Sequence, residues 1–313
     1  MKLLSVHLQS LILHNSILEF SVQQQKITFI GLGAMGYPMA GHLARKGYAV
    51  TVYNRTPATA EKWLEEYSGE KQDTIEAAVK HADVILTCVG NDNDVWSVYQ
   101  KIFNAAKQAA ILVDHTTTSA KLARKLDEKA KAHNMSFIDA PVSGGQAGAE
   151  QGILTVMAGG DQKTFDQVFA ILEVYAKAVT LIGPAGQGQV LKMINQICFI
   201  GVLQGLSEAL TLAKASGIDG KTIVDVLQHG AAGSWQMVNR TETMMNNEFD
   251  FGFAVDWVRK DLSICMEEAE KLGVDLPMTK QIDEKYKQLQ ERGYARADTS
   301  VLIKQFDNDE VNS

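Results

Sequence analysis

Between Lys26 and Gly186 short runs of aliphatic and β-branched residues alternate with longer stretches whose apolar positions recur every three or four residues. ITFI at 27–30, AVTVY at 49–53, DVILTC at 83–88, AILVD at 110–114 and MSFIDA at 135–140 read as strands, and ILTVMAG at 153–159 and KAVTLIG at 177–183 as two more. These runs are apolar without strict alternation, as strands are when helices cover both faces of a sheet. The stretches 35–46, 57–67, 95–106 and 119–133 predict helices, and another is expected from Asp161. Thr56 followed by Pro57 is a start signal, with threonine as N-cap and proline in the first turn. Strand and helix in regular alternation predict a parallel sheet between helical layers.

After Gly183-Pro184-Ala185-Gly186-Gln187-Gly188 no strand is signalled. Residues 189–216 are apolar almost all round, which predicts one long helix, about 40 Å at roughly 1.5 Å per residue, buried by its neighbours. Shorter helices are expected at 221–229, 235–245, 257–272, 279–292 and 299–306. The chain therefore divides into an α/β domain at 26–186 and an all-α domain at 187–313, built on the long central helix and suited to holding substrate and to self-association. Residues 1–25 are expected to form a poorly ordered extension. Their apolar stretch is broken by His7, Gln9, His14 and Glu19, and no small-residue cleavage site follows, which argues against a secretory signal.

The composition, 46% hydrophobic and 21% charged over 313 residues, is that of a folded protein. A net charge of -7 argues against nucleic acid or an anionic membrane as partner, so an anionic ligand must be held by local groups. No uninterrupted apolar run reaches the ~18 to 20 residues of a membrane span. Cys88, Cys198 and Cys265 are scattered and never form C-x-x-C, which suits a reducing, cytoplasmic setting. The histidines lack metal-ligand spacing, so no metal is implied, and no G-x-S-x-G elbow points to a serine nucleophile.

Directly after the first strand, Gly31-Leu32-Gly33-Ala34-Met35-Gly36 opens a helix. In G-x-G-x-x-G the first glycine permits a tight turn, the second lets backbone approach a pyrophosphate, and the third lets helix and strand pack closely. Free N–H groups at the helix start favour the ligand's charge. With strand, turn, helix and second strand in order, the pattern predicts a Rossmann-type dinucleotide-binding domain. NAD-binding versions end the second strand in an acidic residue that binds the ribose. Here Asn54-Arg55-Thr56 follows Tyr53, offering a guanidinium and a hydroxyl where an adenosine 2'-phosphate would lie, so NADP(H) is expected over NAD(H). The plainer reading of Arg55 is a solvated surface residue.

Further on, Pro141-Val142-Ser143-Gly144-Gly145 precedes Gly148 and Gly152, and Ser143 with the two glycine amides suits a small carboxylate as well as it suits an irregular loop. On the long helix Lys192, Asn195 and Gln196 project from nearly one face. An ammonium in a partly desolvated cleft can deliver or accept a proton, whereas an ordinary lysine near a helix start snorkels into water. His115, at the end of a strand, is expected as an exposed loop residue.

With these residues assembled, the chain resembles the β-hydroxyacid dehydrogenase family, in its 3-hydroxyisobutyrate dehydrogenase and semialdehyde or glyoxylate reductase branch. Four segments carry the resemblance over residues 26–306: GLGAMGYPMAGHLARKG at 31–47, DAPVSGGQAGAEQGILTVMAGG at 139–160, GQGQVLKMINQ at 186–196 and RKDL at 259–262. It implies Lys192 as general acid and base with Asn195 in support. It also implies Ser143, Gly144 and Gly145 on the substrate carboxylate, and Thr117 beside substrate and cofactor. Lys260 is implied at the nicotinamide end, and Val89 and Gly90 bordering the ribose and nicotinamide. The implied substrate is a small anionic hydroxy acid or its semialdehyde; separately, the apolar, all-helical second domain around its long helix points to a homodimer or homotetramer. His42 departs from the family's usual asparagine, and Gly90-Asn91 from a common proline. Trp235 is expected in plain core. The rival readings are an imine reductase-like relative, in which the lysine is commonly replaced, a longer 6-phosphogluconate-type decarboxylating enzyme, and a cofactor-binding module without activity.

Overall fold

A computed structural model describes residues 25–307, so all of the expected N-terminal extension except Gln25 lies outside the described residues. The chain forms two compact units, Met1–Lys192 and Met193–Ser313.

The first unit holds a nine-stranded sheet: β1 Lys26–Ile30, β2 Ala49–Tyr53, β3 Glu70–Lys71, β4 Val84–Thr87, β5 Ile111–Asp114, β6 Ser136–Asp139, β7 Val142–Ser143, β8 Leu154–Gly160 and β9 Ala176–Gly183. The order β3-β2-β1-β4-β5-β6 is parallel throughout and is that of a doubly wound nucleotide-binding sheet. Beyond it β8 runs antiparallel to β6 and β7 and parallel to β9, an extension that the strand pattern left unspecified. The apolar runs lack polar alternation because both faces are covered. Val84 and Leu86, with Ile111 and Val113, join one buried cluster, while Ile85 and Leu112 join another.

Helices Gly36–Arg45, Pro57–Glu66, Asp92–Ala105, Ala120–Ala132 and Gln162–Leu172 occupy the stretches with helical spacing. Asn91, Ser119 and Asp161 cap theirs with side-chain oxygens. Thr56 stands at the cap position of Pro57–Glu66, but its side chain makes no cap hydrogen bond. Ile75–Val79 and Gly145–Gln151, like β3 and β7, are too short to carry a period.

In the second unit helices Gly220–Leu227, Trp235–Asn246, Val255–Lys271 and Pro277–Leu289 follow the long helix Gln187–Ser216, and Thr299–Phe306 is a 3-10 helix. The core joins Leu203, Leu206 and Leu210 to Val258, Leu262, Ile282, Tyr286 and Leu302. The expectation that the long helix is buried all round is corrected. Ile194, Val202 and Leu212 are 50%, 41% and 70% exposed, because the other helices cover one side of it. By length and hydropathy alone Gln187–Ser216 meets the requirement for a membrane span, yet buried Gln189, Lys192, Gln196 and Ser207 interrupt it.

Candidate active site

The turn after β1 is built by three glycines with different reasons. Gly31 has φ +97°, and a Cβ there would collide with the carbonyl oxygen of Cys88; a Cβ on Gly36 would collide with the carbonyl oxygen of Gly31. Both are required by the fold itself. At Gly33, by contrast, an added Cβ would meet no atom within 4 Å. Its missing side chain leaves room for something that is not protein. Gly33 and Ala34 are exposed and Met35 half-buried, and helix Gly36–Arg45 begins with neither a capping side chain nor an acidic residue in its first turn. Uncapped N–H groups at a helix start beside a side-chain-free surface fit a pyrophosphate.

At the end of β2, Asn54 Oδ1 accepts from Leu32 N at 2.9 Å, and Asn54 Nδ2 donates to Thr56 O at 3.0 Å. Three residues expected around the cofactor, Leu32, Asn54 and Thr56, are thus joined to one another. The Arg55 side chain is 90% exposed, with a guanidinium nitrogen 3.7 Å from Asp94. A cavity lined by Tyr53, Asn54, Arg55, Pro57, Lys71 and Gln72 opens here. Lys71 pairs with Glu61 at 2.9 Å.

The ends of β4, β5 and β6 carry a buried polar network. Thr87 Oγ1 and Thr116 Oγ1 each donate to Asp114 Oδ1 at 2.7 Å, and Val89 N donates to Thr116 Oγ1 at 2.9 Å, which fixes the loop holding Val89 and Gly90. Burial pushes the Asp114 carboxyl up to about 6. Asp139, closing β6, accepts from Gly186 N at 2.7 Å and from Gln189 N at 2.9 Å, so it caps the start of the long helix. Burial pushes this carboxyl up to about 7. The Gln189 side chain bridges to the loop after β5, accepting from Thr118 N at 3.0 Å and donating to Thr116 O at 2.8 Å, and half-buried Thr117 lies between.

His115 corrects the expectation of an exposed loop residue, being 2% exposed. Its Nδ1 donates to Ala140 O at 2.7 Å, which leaves Nε2 to accept from the Tyr175 hydroxyl at 2.9 Å. Burial lowers its pKa to about 4, so the ring is neutral. It is a packing residue of the sheet.

Ser143 ends β7, and Gly144 and Gly145 follow with φ +133° and +63°. They lead into helix Gly145–Gln151. His42 Nε2 bonds to Ala149 O at 2.9 Å, so the histidine that departs from the family's asparagine braces this loop against helix Gly36–Arg45.

On the long helix Lys192 is 8% exposed, not snorkelled into water, and Gln196 is 3% exposed. Asn195 Nδ2 donates to Gln196 Oε1 at 2.8 Å, and Gln196 Nε2 donates to Asp261 Oδ2 at 2.7 Å. Lys260 Nζ stands 3.0 Å from Asp261 Oδ1, near enough for the charges to pair though off the line of a hydrogen bond. In the second unit, Asn195 and Lys260 are therefore ends of one polar chain. Trp235 is 54% exposed and not core, held by the Arg240 guanidinium 4.9 Å from its ring centre.

Gly31–Gly36, Asn54–Thr56, Val89–Gly90 and Thr117 thus gather at the carboxyl ends of β1, β2, β4 and β5, where an open α/β sheet binds its ligand. Asp139, Gln189 and Asp261 escaped the sequence reading. Their one signal was a polar residue closing an apolar strand or interrupting an apolar helix.

Residues 26–183 match the NAD-binding domain family of 6-phosphogluconate dehydrogenase. Residues 186–306 match the NAD-binding family of NADP-dependent 3-hydroxyisobutyrate dehydrogenase. An uncharacterized oxidoreductase of Shewanella frigidimarina is 50% identical over 281 residues, 89% of this chain and 97% of that one. The 2-hydroxy-3-oxopropionate reductase of Escherichia coli is 31% identical over 89% of this chain and 96% of its own. Mycobacterium tuberculosis 3-hydroxyisobutyrate dehydrogenase, solved with L-serine, is 30% identical, with a TM-score of 0.80 over 90% of this chain and 98% of that one. The protein is an NAD(P)-dependent oxidoreductase of hydroxy acids, acting on a CH–OH group. Matched through both of its halves, the chain belongs to the β-hydroxyacid dehydrogenase family.

Proposed function

We propose that the protein reduces a short semialdehyde or 2-oxo acid to its hydroxy acid with NADPH, Lys192 serving as general acid and, in reverse, as general base. The observation that carries this reading is the near-complete burial of Lys192 in the segment that resembles the family's catalytic one. An ammonium without bulk water around it protonates an oxygen that is gaining charge, and its neutral form takes the proton back. Asn195, one turn further along the helix, supports that proton transfer. Ser143 and the amides of Gly144 and Gly145 hold the substrate carboxylate, and Thr117 lies beside the reacting carbon.

Gly31 to Gly36 hold the pyrophosphate, Val89, Gly90 and Lys260 border the nicotinamide end, and Arg55 with Thr56 takes the 2'-phosphate, which favours NADP(H) over NAD(H). The bound nicotinamide supplies the hydride. Beyond the proton that Lys192 transfers, the protein contributes positioning and charge stabilisation. The names of the Escherichia coli and Mycobacterium relatives support a short hydroxy acid as product. We assign residues 26–186 to cofactor binding and 187–313 to substrate and assembly. The exposed apolar face of Ile194, Val202 and Leu212 supports a homodimer or homotetramer. The free cysteines suit the cytoplasm.

NADPH consumption against glyoxylate and the succinic, methylmalonate and tartronate semialdehydes tests the reading. Turnover of at least one is expected; silence throughout, with NADPH still bound, leaves a cofactor-binding module.

A further inference from the structure

We infer that Gln189 is a positioning residue, which clamps the backbone on both sides of Thr117 and so fixes where that residue stands relative to the helix carrying Lys192. The inference rests on the reading above, in which Thr117 and Lys192 serve the reaction.

The observation is one side chain with two committed ends. Gln189 is 0% exposed. Its Oε1 accepts from Thr118 N at 3.0 Å while its Nε2 donates to Thr116 O at 2.8 Å. A carboxamide used this way imitates a strand partner. It satisfies one donor and one acceptor of the loop without bringing a charge into the interior. Thr117 lies between the two bonded residues, so its backbone is held from either side while its side chain is left to other contacts.

The clamp is itself anchored. Gln189 N donates to Asp139 Oδ2 at 2.9 Å, and Gly186 N donates to Asp139 Oδ1 at 2.7 Å, so the first turn of Gln187–Ser216 is pinned to the end of β6. Glycine at 188 belongs to the same arrangement, since a Cβ there would collide with the carbonyl oxygen of Met157 and press on Asp139. Gln189 precedes Lys192 by three residues, so the two project from neighbouring positions of one helix face. The ends of β5 and β6 and the first turn of the lysine helix are thereby one hydrogen-bonded piece. A loop tied only by its own backbone would let Thr117 drift, and a displacement of about 1 Å in a reacting site costs roughly a hundredfold in rate.

The test uses the whole chain, with the semialdehyde of the panel that it reduces fastest, and four proteins: wild type, Gln189→Met, Thr117→Ala and the double variant. Gln189→Met keeps the shape and removes both bonds. It is expected to lower kcat/KM roughly tenfold, the effect of losing oriented hydrogen bonds, while the NADPH dissociation constant read by fluorescence stays within about twofold. In the Thr117→Ala background it should cost nothing further, because a residue that acts through Thr117 has nothing left to place. Hydrogen exchange of the peptide spanning His115–Ser119 should quicken in Gln189→Met. An additive loss in the double variant, or unchanged exchange in that peptide, overturns the inference. If Gln189→Met does not fold, Gln189→Leu carries the same cycle, since it too removes both bonds. If wild type reduces nothing, the reductase reading falls by itself, and the exchange measurement decides the clamp alone.

Discussion

Asn54 accepts the backbone N–H of Leu32 at 2.9 Å, so the side chain that follows β2 holds the glycine turn in place. Removing it loosens the turn for either cofactor alike. Asn54→Ala is expected to weaken NADPH and NADH by the same factor, about tenfold for one lost hydrogen bond. Fluorescence titration of both cofactors checks this, and a loss confined to one of them would refute the bracing role.

Arg55 should behave in the opposite way. Its guanidinium is almost wholly solvated and only loosely paired with Asp94, so a 2'-phosphate can recruit it at little cost. Charge-assisted bonds of this kind are worth about 1.5 to 3 kcal/mol. Arg55→Ala should therefore weaken NADPH roughly ten- to hundredfold and leave NADH nearly untouched. Equal losses would remove the basis for preferring NADP(H).

The glycines separate fold from ligand. Gly33→Ala meets no atom of the protein within 4 Å and should fold with an unfolding midpoint close to wild type, yet bind NADPH far more weakly because the methyl fills the approach. Gly36→Ala drives a Cβ into the Gly31 carbonyl and should cost more than about 3 kcal/mol of stability, or fail to fold. Thermal unfolding beside cofactor titration distinguishes the two. Tight NADPH binding by Gly33→Ala would show that the turn holds something else.

For Lys192 the prediction concerns rate and not affinity. In the role proposed for it, Lys192 donates a proton only as the oxygen gains charge, so in Lys192→Ala turnover should fall by about 10² to 10⁴ while the NADPH dissociation constant is preserved. Single-turnover NADPH oxidation measures the first and fluorescence the second. Near-normal turnover would contradict the assignment.

Asp114 gives the protein a pH-dependent stability of definite sign. Burial raises its carboxyl from the ordinary 3.8 to about 6, so between those values the folded state keeps a proton that the unfolded state has released. The stabilising share of that proton is full below about 3.8 and is lost as pH rises through about 6. Asp114→Asn retains an acceptor for Thr87 and Thr116 and does not titrate. Relative to wild type it should gain on the order of 3 kcal/mol from pH 4 to pH 7. Urea midpoints at those two values measure the gain. A difference independent of pH would mean that Asp114 titrates in the folded protein as it does unfolded.

The sequence by itself determined seven of the nine strands, most helices, the glycine turn and the lysine on its helix. Each of these is written locally, as a period, a run or a spacing within some twenty residues. It could not show β3, β7 or the helix Gly145–Gln151, because two to seven residues do not complete a pattern. Nor could it show which polar groups meet. His115 became a buried packing residue through Tyr175, 60 positions away, and Gln189 finds Thr118 and Thr116 across 71 and 73. Those partners are set by the order of strands in the sheet, and a chain of letters carries no record of that order until folding brings the ends of β5 and β6 together. Local chemistry decided what each segment is; tertiary packing decided which charges and amides are removed from water, and therefore what each must bind.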